Sequence, residues 1–438
     1  MNYFHLEFLI GTLLLISLLI YLSPTILNFT LIGVALMIIF NYSYNYEYSS
    51  WEMLLKTVLI VTGFFIYNSL NIKSINSVGV LILSVILASL LVVSSNNLLA
   101  LYISIELQSL SLFILIARKK SSIDKVEAAL KYFVLSSISS GLFLIGSAIF
   151  FCSYGTCAIS DFSADSISIG KVLVTVALLF KLAAAPLHIW TPDVYQGCDN
   201  NSLMVLGTLP KISVLAILIA LIPNTKLILL STILSLIIGC VGALNQTNIK
   251  KLLAYSGIIN MGFILLGVST SSFVGIESSI MYLLIYTFTF LSFLFIINNF
   301  LSEKSNISEF SGFLGINSAI LITLLVFVFS LAGIPPFAGF FIKWVVLSNA
   351  ISYNFIFTSV ISILCAVIAG VYYVRLVKIG YFQQDKSFHM WKEALLGHKK
   401  LKHNESVILG SILFLTISIV LCPHILTELV HLGVLSIY

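Results

Sequence analysis

Charged residues are scarce in this chain. Asp, Glu, Lys and Arg make up 9% of the 438 residues, hydrophobic residues make up 59%, and the mean hydropathy is +1.11. A soluble globular chain carries roughly 25% charged residues. This composition excludes a set of soluble domains, although the length alone would suggest about three of them. It predicts one all-α polytopic membrane protein.

Motifs that hold cofactors or nucleotides are also lacking. The sequence has no Walker motif, no Rossmann glycine fingerprint, no Cys cluster and no haem-like His pair. Cys152 and Cys157 share a short loop and could form a local disulfide, but unpaired thiols are the favoured interpretation because no second pair supports a disulfide framework. We therefore expect no cofactor and no metal in this chain. Any pumping would need energy from a partner.

The net charge of +5 does not point to nucleic acid, because the basic residues lie in short loops between apolar runs. The first apolar segment, Leu6 to Tyr21, lacks a basic n-region and a small-residue cleavage site, so it is interpreted as a retained first span. Abundant Phe, Ile, Tyr, Asn and Ser suggest an A/T-rich genome, for which organelle coding is a natural source.

Hydrophobic runs between polar breaks predict about fourteen membrane spans, on the rule that a span needs about 20 apolar residues. The predicted spans are 6–22, 24–41, 52–71, 77–94, 97–117, 127–151, 169–190, 203–222, 226–245, 251–270, 276–300, 317–346, 354–380 and 405–431. They divide into a three-helix segment (1–75), a first repeat (76–223), a second repeat (224–380) and a loop with a final helix (381–438).

Loop charges predict the orientation of these spans. The loops after odd-numbered spans hold most of the Lys and Arg, whereas the loops after even-numbered spans hold mainly acids. By the positive-inside rule, odd-numbered spans end in the matrix or cytoplasm and both termini lie on the opposite side. The alternation persists along the whole chain, which supports the number of spans.

Two of the predicted spans are interrupted by proline, the seventh at Pro186 and the twelfth at Pro335-Pro336. They are five spans apart and therefore cross the membrane in opposite directions. Matched broken helices in two halves indicate an inverted-repeat transporter with a site near the midplane. The predicted fold is thus two inverted five-helix repeats, with helices 7 and 12 broken.

Ionisable residues inside the predicted spans are the candidate functional residues. A lysine near the middle of a bilayer costs roughly 2.5–3.5 kcal/mol on insertion scales, so it is kept where water, a counter-charge or a function compensates. The proposed proton path consists of Glu106, Lys181, Lys211 and Lys343. Glu106 is predicted to pair with Lys181. The alternative interpretation of all four is a set of static buried ion pairs.

Two further residues are weaker candidates. Lys131 lies near the end of its span and could instead be a surface anchor that snorkels to the interface. His188 could connect Lys181 to the aqueous loop, because imidazole titrates near neutrality, or it could be a packing histidine. Lys250 is interpreted as a solvated loop charge. Tyr282 and Tyr286 could hold water, but helix packing is the favoured role for both.

Several motifs resemble the antiporter-like membrane subunits of respiratory complex I, over roughly residues 75–380. They are Ile105-Glu-Leu-Gln-Ser-Leu110, Ala129-Leu-Lys-Tyr-Phe133, Phe180-Lys-Leu, Trp190-Thr-Pro-Asp-Val-Tyr-Gln-Gly197, Ile249-Lys-Lys-Leu-Leu-Ala-Tyr-Ser256 and Leu331-Ala-Gly-Ile-Pro-Pro-Phe-Ala-Gly-Phe340. The octapeptide from Trp190 is more like the subunit 2 (bacterial N) group than subunits 4 or 5. The lysine at position 343 also fits that group, since subunit 4 has an acid there.

The resemblance implies fourteen helices, with Glu106, Lys181, Lys211 and Lys343 as proton-path residues and Lys131 as a further matching lysine. It also implies a multi-pass location in the mitochondrial inner membrane or, alternatively, a bacterial plasma membrane. Neighbours would be the 4L and 4 types of subunit and membrane lipid such as cardiolipin, with no cofactor in this subunit and quinone reduced elsewhere.

Two alternatives remain open from the sequence. The same lysine-rich path would suit a Na⁺/H⁺ antiporter or the related membrane subunit of a hydrogenase. A structural scaffold that moves no protons would contain the same charges as static pairs.

Overall fold

A computed structural model of the chain describes residues 50–69, 75–118, 122–164, 168–221, 224–300, 306–311, 318–382 and 403–436. The first two predicted spans, 6–22 and 24–41, and most of the loop after residue 382 lie outside these residues. The described helices are α1 (Ser50–Asn68), α2 (Ile75–Ser94), α3 (Leu98–Ala117), α4 (Ile123–Tyr154), α5 (Ile159–Ala164), α6 (Ile169–Lys181), α7 (Trp190–Gly197), α8 (Asn200–Ala220), α9 (Thr225–Leu244), α10 (Ile249–Ser269), α11 (Phe273–Phe300), α12 (Ser318–Ala332), α13 (Ala338–Ser352), α14 (Ile356–Phe382), α15 (His403–Leu421) and α16 (Pro423–Leu435).

The prediction of an all-helical membrane protein is confirmed for the part of the chain that the structure describes. Seven helices in it are long and apolar enough to cross a membrane, and an eighth is added if the bent pair α15 and α16 counts as one span. Since a bilayer satisfies no backbone hydrogen bond, these apolar segments form helices, in which every backbone group is paired within the segment.

The two segments predicted as repeats have the same order of helix packing. In the first, α2 packs on α3 and α8, α3 packs on α4, and α4 packs on α6 and α7. In the second, α9 packs on α10 and α14, α10 packs on α11, and α11 packs on α12 and α13. The segments meet where α8 contacts α11 and where α7 contacts α10.

A pair of backbone bridges also recurs. Asn97, just before α3, pairs with Ala158 in the connection after α4, and Asn248, just before α10, pairs with Asn306 after α11. The two asparagines are 151 positions apart and both precede the second helix of their segment. Each bridge ties the start of this helix to the connection that leads into a broken helix.

Both predicted helix breaks are present. The helix α6 ends at Lys181 and α7 begins at Trp190, while α12 ends at Ala332 and α13 begins at Ala338. Ala183 and Gly333, 150 positions apart, both adopt left-handed φ angles of 60° and 77°. A left-handed residue cannot continue a right-handed helix, so the chain leaves the helix axis before it reaches the prolines.

The predicted final span over 405–431 is not one continuous helix. The helix α15 ends at Leu421, and α16 begins at Pro423 at an angle of 90° to it. Proline disfavours a helical conformation in the residue before it, so Cys422 leaves the helical region and becomes the N-cap of a new helix. The second helix packs against α1 and α11, where Ser436 Oγ accepts a hydrogen bond from Trp51 N at 3.0 Å.

The centre of the bundle is formed by α8, α10 and α11. In each of these helices 94% of the most apolar 18-residue stretch is buried, compared with 50% in α3 and 33% in α14. Their hydrophobicity extends around the whole helix, which is typical of helices that have no solvent or lipid face. Ionisable side chains on α8 are therefore held in the interior of the protein.

Close contact between α4 and α6 gives a testable prediction. A Cβ atom added at Gly146 would lie 2.8 Å from the Gly170 carbonyl oxygen, whereas a Cβ added at Gly141 on the same helix meets nothing within 4 Å. We expect Gly146→Ala to destabilise the protein by about 1–3 kcal/mol through overpacking. Gly141→Ala should be neutral, or stabilising by up to about 1 kcal/mol through helix propensity.

The measurement is the thermal unfolding of the two variants in detergent. Equal stability of the two would mean that α4 and α6 are not in contact at Gly146.

Candidate functional site

Lys211 lies in the interior of the bundle, at the middle of α8. Its residue is 3% exposed, and its Nζ donates a hydrogen bond to the Tyr286 hydroxyl on α11 at 3.1 Å. The same ammonium lies 5.0 Å from the centre of the Tyr286 ring and 5.9 Å from that of Phe290. A positive charge is attracted to the face of an aromatic ring, so these rings replace part of the lost hydration.

Lys343, on α13, reaches back across the second helix break. Its Nζ donates to the carbonyl oxygens of Ala332 at 2.8 Å and Leu331 at 3.4 Å, and lies 5.3 Å from the centre of the Phe263 ring. These carbonyls belong to the last turn of α12. The ammonium therefore binds at the negative end of the helix dipole and satisfies backbone groups that the break leaves free.

A small cavity lies beside Tyr286 and the last turn of α12. It has a volume of about 10 Å³ and is lined by Asn260, Tyr282, Ile285, Tyr286, Thr289, Ser330, Leu331, Gly339 and Ile342. The Tyr282 hydroxyl donates to Asn260 Oδ1 at 2.9 Å. Such a volume is close to that of one water molecule, but the surface that lines it is mostly apolar.

Lys181 is the last residue of α6, directly before the first break. Its Nζ is shut off from solvent and has no hydrogen-bond partner among the described residues. The Glu106 carboxylate of α3 acts on it electrostatically. No ion pair within 4.0 Å joins the two groups in the described part of the chain. The predicted pairing is thus an interaction across a gap and not a salt bridge.

Glu106 lies at the edge of the polar face of α3 and is only partly buried. Its Oε2 accepts a hydrogen bond from Ser109 Oγ at 3.4 Å. Other polar residues of α3 contact neighbouring helices. Gln108 Nε2 donates to Ser213 Oγ on α8 at 3.2 Å, and Ser84 Oγ donates to Ser111 Oγ at 3.0 Å. Polar side chains of α3 thus connect this helix with α8, the helix of Lys211, and with α2.

Lys131 and His188 do not join the interior groups. The side chain of Lys131 is 42% exposed and its Nζ contacts Glu127 at 2.8 Å and Asp193 at 2.9 Å, which agrees with the surface-anchor alternative. His188 lies half-buried in the first break, and its backbone carbonyl accepts from Thr191 N at 2.9 Å. Neither contact connects them directly with Lys181.

The interpretation of Lys250 as a solvated loop charge is wrong. This residue is 4% exposed, and its Nζ donates to the Cys198 carbonyl oxygen at 2.6 Å. It lies at a polar cavity of about 490 Å³ where α4, α7 and the start of α10 meet, with Asp124, Lys125, Glu127, Lys131, Asp193 and Lys250 as its charged lining. The sequence placed Lys250 at a helix start, and only the packing of α7 beside it buries the amine.

The sequence favours Tyr286 as a helix-packing residue, with water binding as the alternative. Only the structure shows its contact with Lys211, on another helix. The signal in the sequence was weak: α11 carries Tyr282 and Tyr286 four positions apart, which places both hydroxyls on one face of the helix. The cysteine prediction is confirmed, since Cys152 and Cys157 are both unpaired.

Comparison with known proteins gives these residues a context. Residues 95–369 match the family model described as NADH:quinone oxidoreductase/Mrp antiporter, transmembrane. A relative from Metridium senile, NADH-ubiquinone oxidoreductase chain 2, is 40% identical and covers 82% of this chain and 97% of its own length. The chain belongs to this family.

A bacterial relative and two solved structures are also similar to this chain. Subunit N of NADH-quinone oxidoreductase from Pelagibacter ubique is 34% identical over 86% of this chain and 83% of its own. A chain of respiratory complex I from Thermus thermophilus has a TM-score of 0.85 at 21% identity, covering 97% of this chain and 98% of that one. A chain of the Mrp complex from Dietzia sp. also has a TM-score of 0.85, at 16% identity, and covers 99% of this chain and 96% of that one. These two structures show a shared fold.

The contact of Lys343 with the α12 carbonyls gives a second prediction. We expect Lys343→Met to lower stability by about 1–3 kcal/mol, because it leaves buried carbonyl oxygens without a donor. Lys343→Arg should lose less stability, since its guanidinium group can still donate to both carbonyl oxygens. Lys131→Met is the matched control, because an exposed ion pair contributes only about 0–1 kcal/mol. Thermal unfolding in detergent measures the stability of all three variants. Equal melting temperatures of Lys343→Met and Lys131→Met would contradict a stabilising contact between Lys343 and the α12 carbonyls.

Proposed function

We propose that this chain is a core membrane subunit of respiratory complex I that translocates protons, coupled to NADH:ubiquinone oxidoreduction catalysed elsewhere in the complex. The observation that carries the proposal is the series of buried ammonium groups. Lys211 donates to the Tyr286 hydroxyl, and Lys343 donates to a carbonyl at the end of α12. Intramembrane ionisable groups that face the bundle interior are typical of ion and proton paths.

The proton path begins at Glu106 and Lys181. A change of charge in a neighbouring subunit alters the electrostatic interaction between the Glu106 carboxylate and the Lys181 amine. Lys181 then passes its proton laterally towards Lys211, and from there the proton reaches Lys343, which releases it to the other face. The partly buried position of Glu106 supports its role as the residue through which a neighbouring subunit acts, because its side chain reaches the surface of this chain.

The fold that we propose for the chain has fourteen spans, with two inverted five-helix repeats over residues 76–223 and 224–380. Support comes from the recurring order of helix packing and from the left-handed residues Ala183 and Gly333 at the two breaks. The recurring backbone bridges also fit, since an inverted repeat places its equivalent loops at opposite faces. Broken helices are tolerated in a membrane where protein or water satisfies the freed groups, as at Lys343.

The proposed setting follows from the relatives. The subunit takes part in NADH:ubiquinone reductase without a redox site or cofactor of its own. Its neighbours are other membrane subunits of the complex, of the 4L and 4 types, together with membrane lipid such as cardiolipin. Its location is the mitochondrial inner membrane, as the name of the Metridium senile relative suggests, or the plasma membrane if the source is bacterial.

Two other functions would be consistent with the same fold. The structural likeness to an Mrp complex chain favours a Na⁺/H⁺ antiporter, and a likeness of TM-score 0.85 to a membrane-bound sulfane sulfur reductase chain keeps other respiratory membrane complexes open. Co-purification with quinone-reducing activity separates complex I from both. A scaffold that moves no protons would have the same lysines in static roles.

Replacement of Lys181 tests the transport function directly. We expect Lys181→Met in the intact membrane complex to assemble normally and to lose both NADH–quinone turnover and proton uptake into vesicles, because the path loses its first carrier. Turnover and proton uptake are followed together in the same vesicles. A variant that assembles and pumps as before would show that the lysine is structural.

Replacement of Glu106 tests the electrostatic step. Glu106→Gln keeps the shape of the side chain and removes its negative charge, so the positive charge of Lys181 loses its compensation. We expect reduced proton uptake with an intact fold, measured as the initial rate per assembled complex. The exposed Glu127, which pairs with Lys131 at the surface, provides the control through Glu127→Gln, which should retain normal uptake. Normal uptake in Glu106→Gln would remove this step from the mechanism.

A further inference from the structure

Two buried cysteines meet where α9 packs against α14. Cys240 on α9 is 2% exposed and Cys365 on α14 is 4% exposed. The Cys240 thiol donates a weak hydrogen bond to the sulfur of Cys365 at 3.5 Å, and both thiols are free. The two residues are 125 positions apart, so only the packing of the two helices brings their sulfurs into contact.

The pair lies inside the apolar part of both helices. Cys240 is the sixteenth of the 20 residues of α9, and Cys365 is the tenth of the 27 residues of α14. Their neighbours in the chain reach the apolar surface of the bundle, since Val241 is 61% exposed and Leu364 is 59% exposed. A broad apolar surface of this kind contacts acyl chains in a membrane. The two sulfurs therefore lie just beneath a surface that lipid reaches.

The apolar surroundings limit the kind of oxidation that these thiols can undergo. Attack on a peroxide or on a disulfide requires a thiolate anion, and an unpaired anion is costly to form in an apolar medium. Loss of a hydrogen atom to a radical, in contrast, involves neutral species only. A membrane supplies such radicals in the form of lipid peroxyl radicals, which arise when unsaturated acyl chains react with dioxygen.

We propose that Cys240 and Cys365 form a dithiol site that reduces lipid peroxyl radicals and is itself oxidised to a disulfide between α9 and α14. A first peroxyl radical takes the hydrogen atom of one thiol, which breaks its S–H bond and leaves a sulfur radical. A second peroxyl radical takes the hydrogen atom of the other thiol, and the two sulfur radicals combine into one S–S bond. Two thiols and two peroxyl radicals thus give one disulfide and two lipid hydroperoxides.

The contact between the two sulfurs is what allows the second step. A single sulfur radical in a membrane has only acyl chains and dioxygen to react with, whereas here a second thiol lies 3.5 Å away. A disulfide requires about 2.05 Å between its sulfurs, so the two atoms approach each other by about 1.5 Å. The product joins the first helix of the second segment to its last helix. This chemistry does not depend on proton transport by the lysines.

Counting the thiols of the intact membrane complex tests the site. The complex is placed in vesicles of polyunsaturated phospholipid and treated with a lipid-soluble azo initiator, which generates peroxyl radicals in the bilayer. The chain has six cysteines, and one disulfide removes two thiols. We expect the number of maleimide groups added to the denatured chain to fall from six to four, and to return to six after treatment with dithiothreitol. Peptide mapping should identify the cross-link as Cys240–Cys365.

Cys240→Ala tests the pair, and Cys198→Ala is the matched control. Each variant removes one buried thiol, since Cys198 is 1% exposed. One of the six cysteines is then missing, so Cys240→Ala should bind five maleimide groups both before and after the initiator. Cys198→Ala keeps the pair and should fall from five to three. The peptide map is made on the wild-type chain, so it tests the cross-link even if a variant does not assemble.

Three results would overturn the proposal. One is the retention of all six thiols in the wild-type complex after radical treatment. Another is a cross-link between two other cysteines in place of Cys240–Cys365, or a loss of thiols that dithiothreitol does not reverse. The third is oxidation of the pair by hydrogen peroxide in the aqueous phase but not by the lipid-soluble initiator, because that pattern requires a thiolate and not a hydrogen-atom donor.

Discussion

An ammonium group buried away from water must find acceptors in the protein, and this requirement governs the interior of the molecule. Lys343 finds them in the carbonyls at the end of α12, and Lys211 in the hydroxyl and ring of Tyr286. Lys181 has only the field of Glu106 across a gap. The three lysines therefore differ in how well their charge is compensated, and such differences between neighbouring sites allow a proton to be moved from one to the next.

The helix breaks matter because they supply backbone acceptors where a regular helix has none. At the first break the Phe180 carbonyl accepts from the Trp190 indole at 3.2 Å, a neutral donor. At the second break the corresponding end of α12 is bound by the charged Lys343. Equivalent breaks thus serve different purposes: one is closed by an aromatic residue and leaves its lysine without a hydrogen bond, while the other stabilises its lysine as a cation.

Individual elements show how far the sequence could be used for prediction. The breaks followed from Pro186 and Pro335-Pro336, because proline removes a backbone donor within an apolar run. The final helix was mispredicted because hydropathy continues unchanged through Cys422 and Pro423, whereas the chain turns by 90° there. Lys131 and Lys250 look alike in sequence, each near the start of a helix, yet the first is exposed and the second is covered by α7.

The sequence by itself determined that this is a helical membrane protein and which residues carry charge into its interior, since both follow from the cost of placing polar groups in an apolar medium. Only the tertiary structure decided the partners of those charges. Tyr286 lies 75 positions from Lys211, so no local pattern links them. A hydrogen bond between helices depends on their packing, and the packing is set by the whole bundle and not by any one segment.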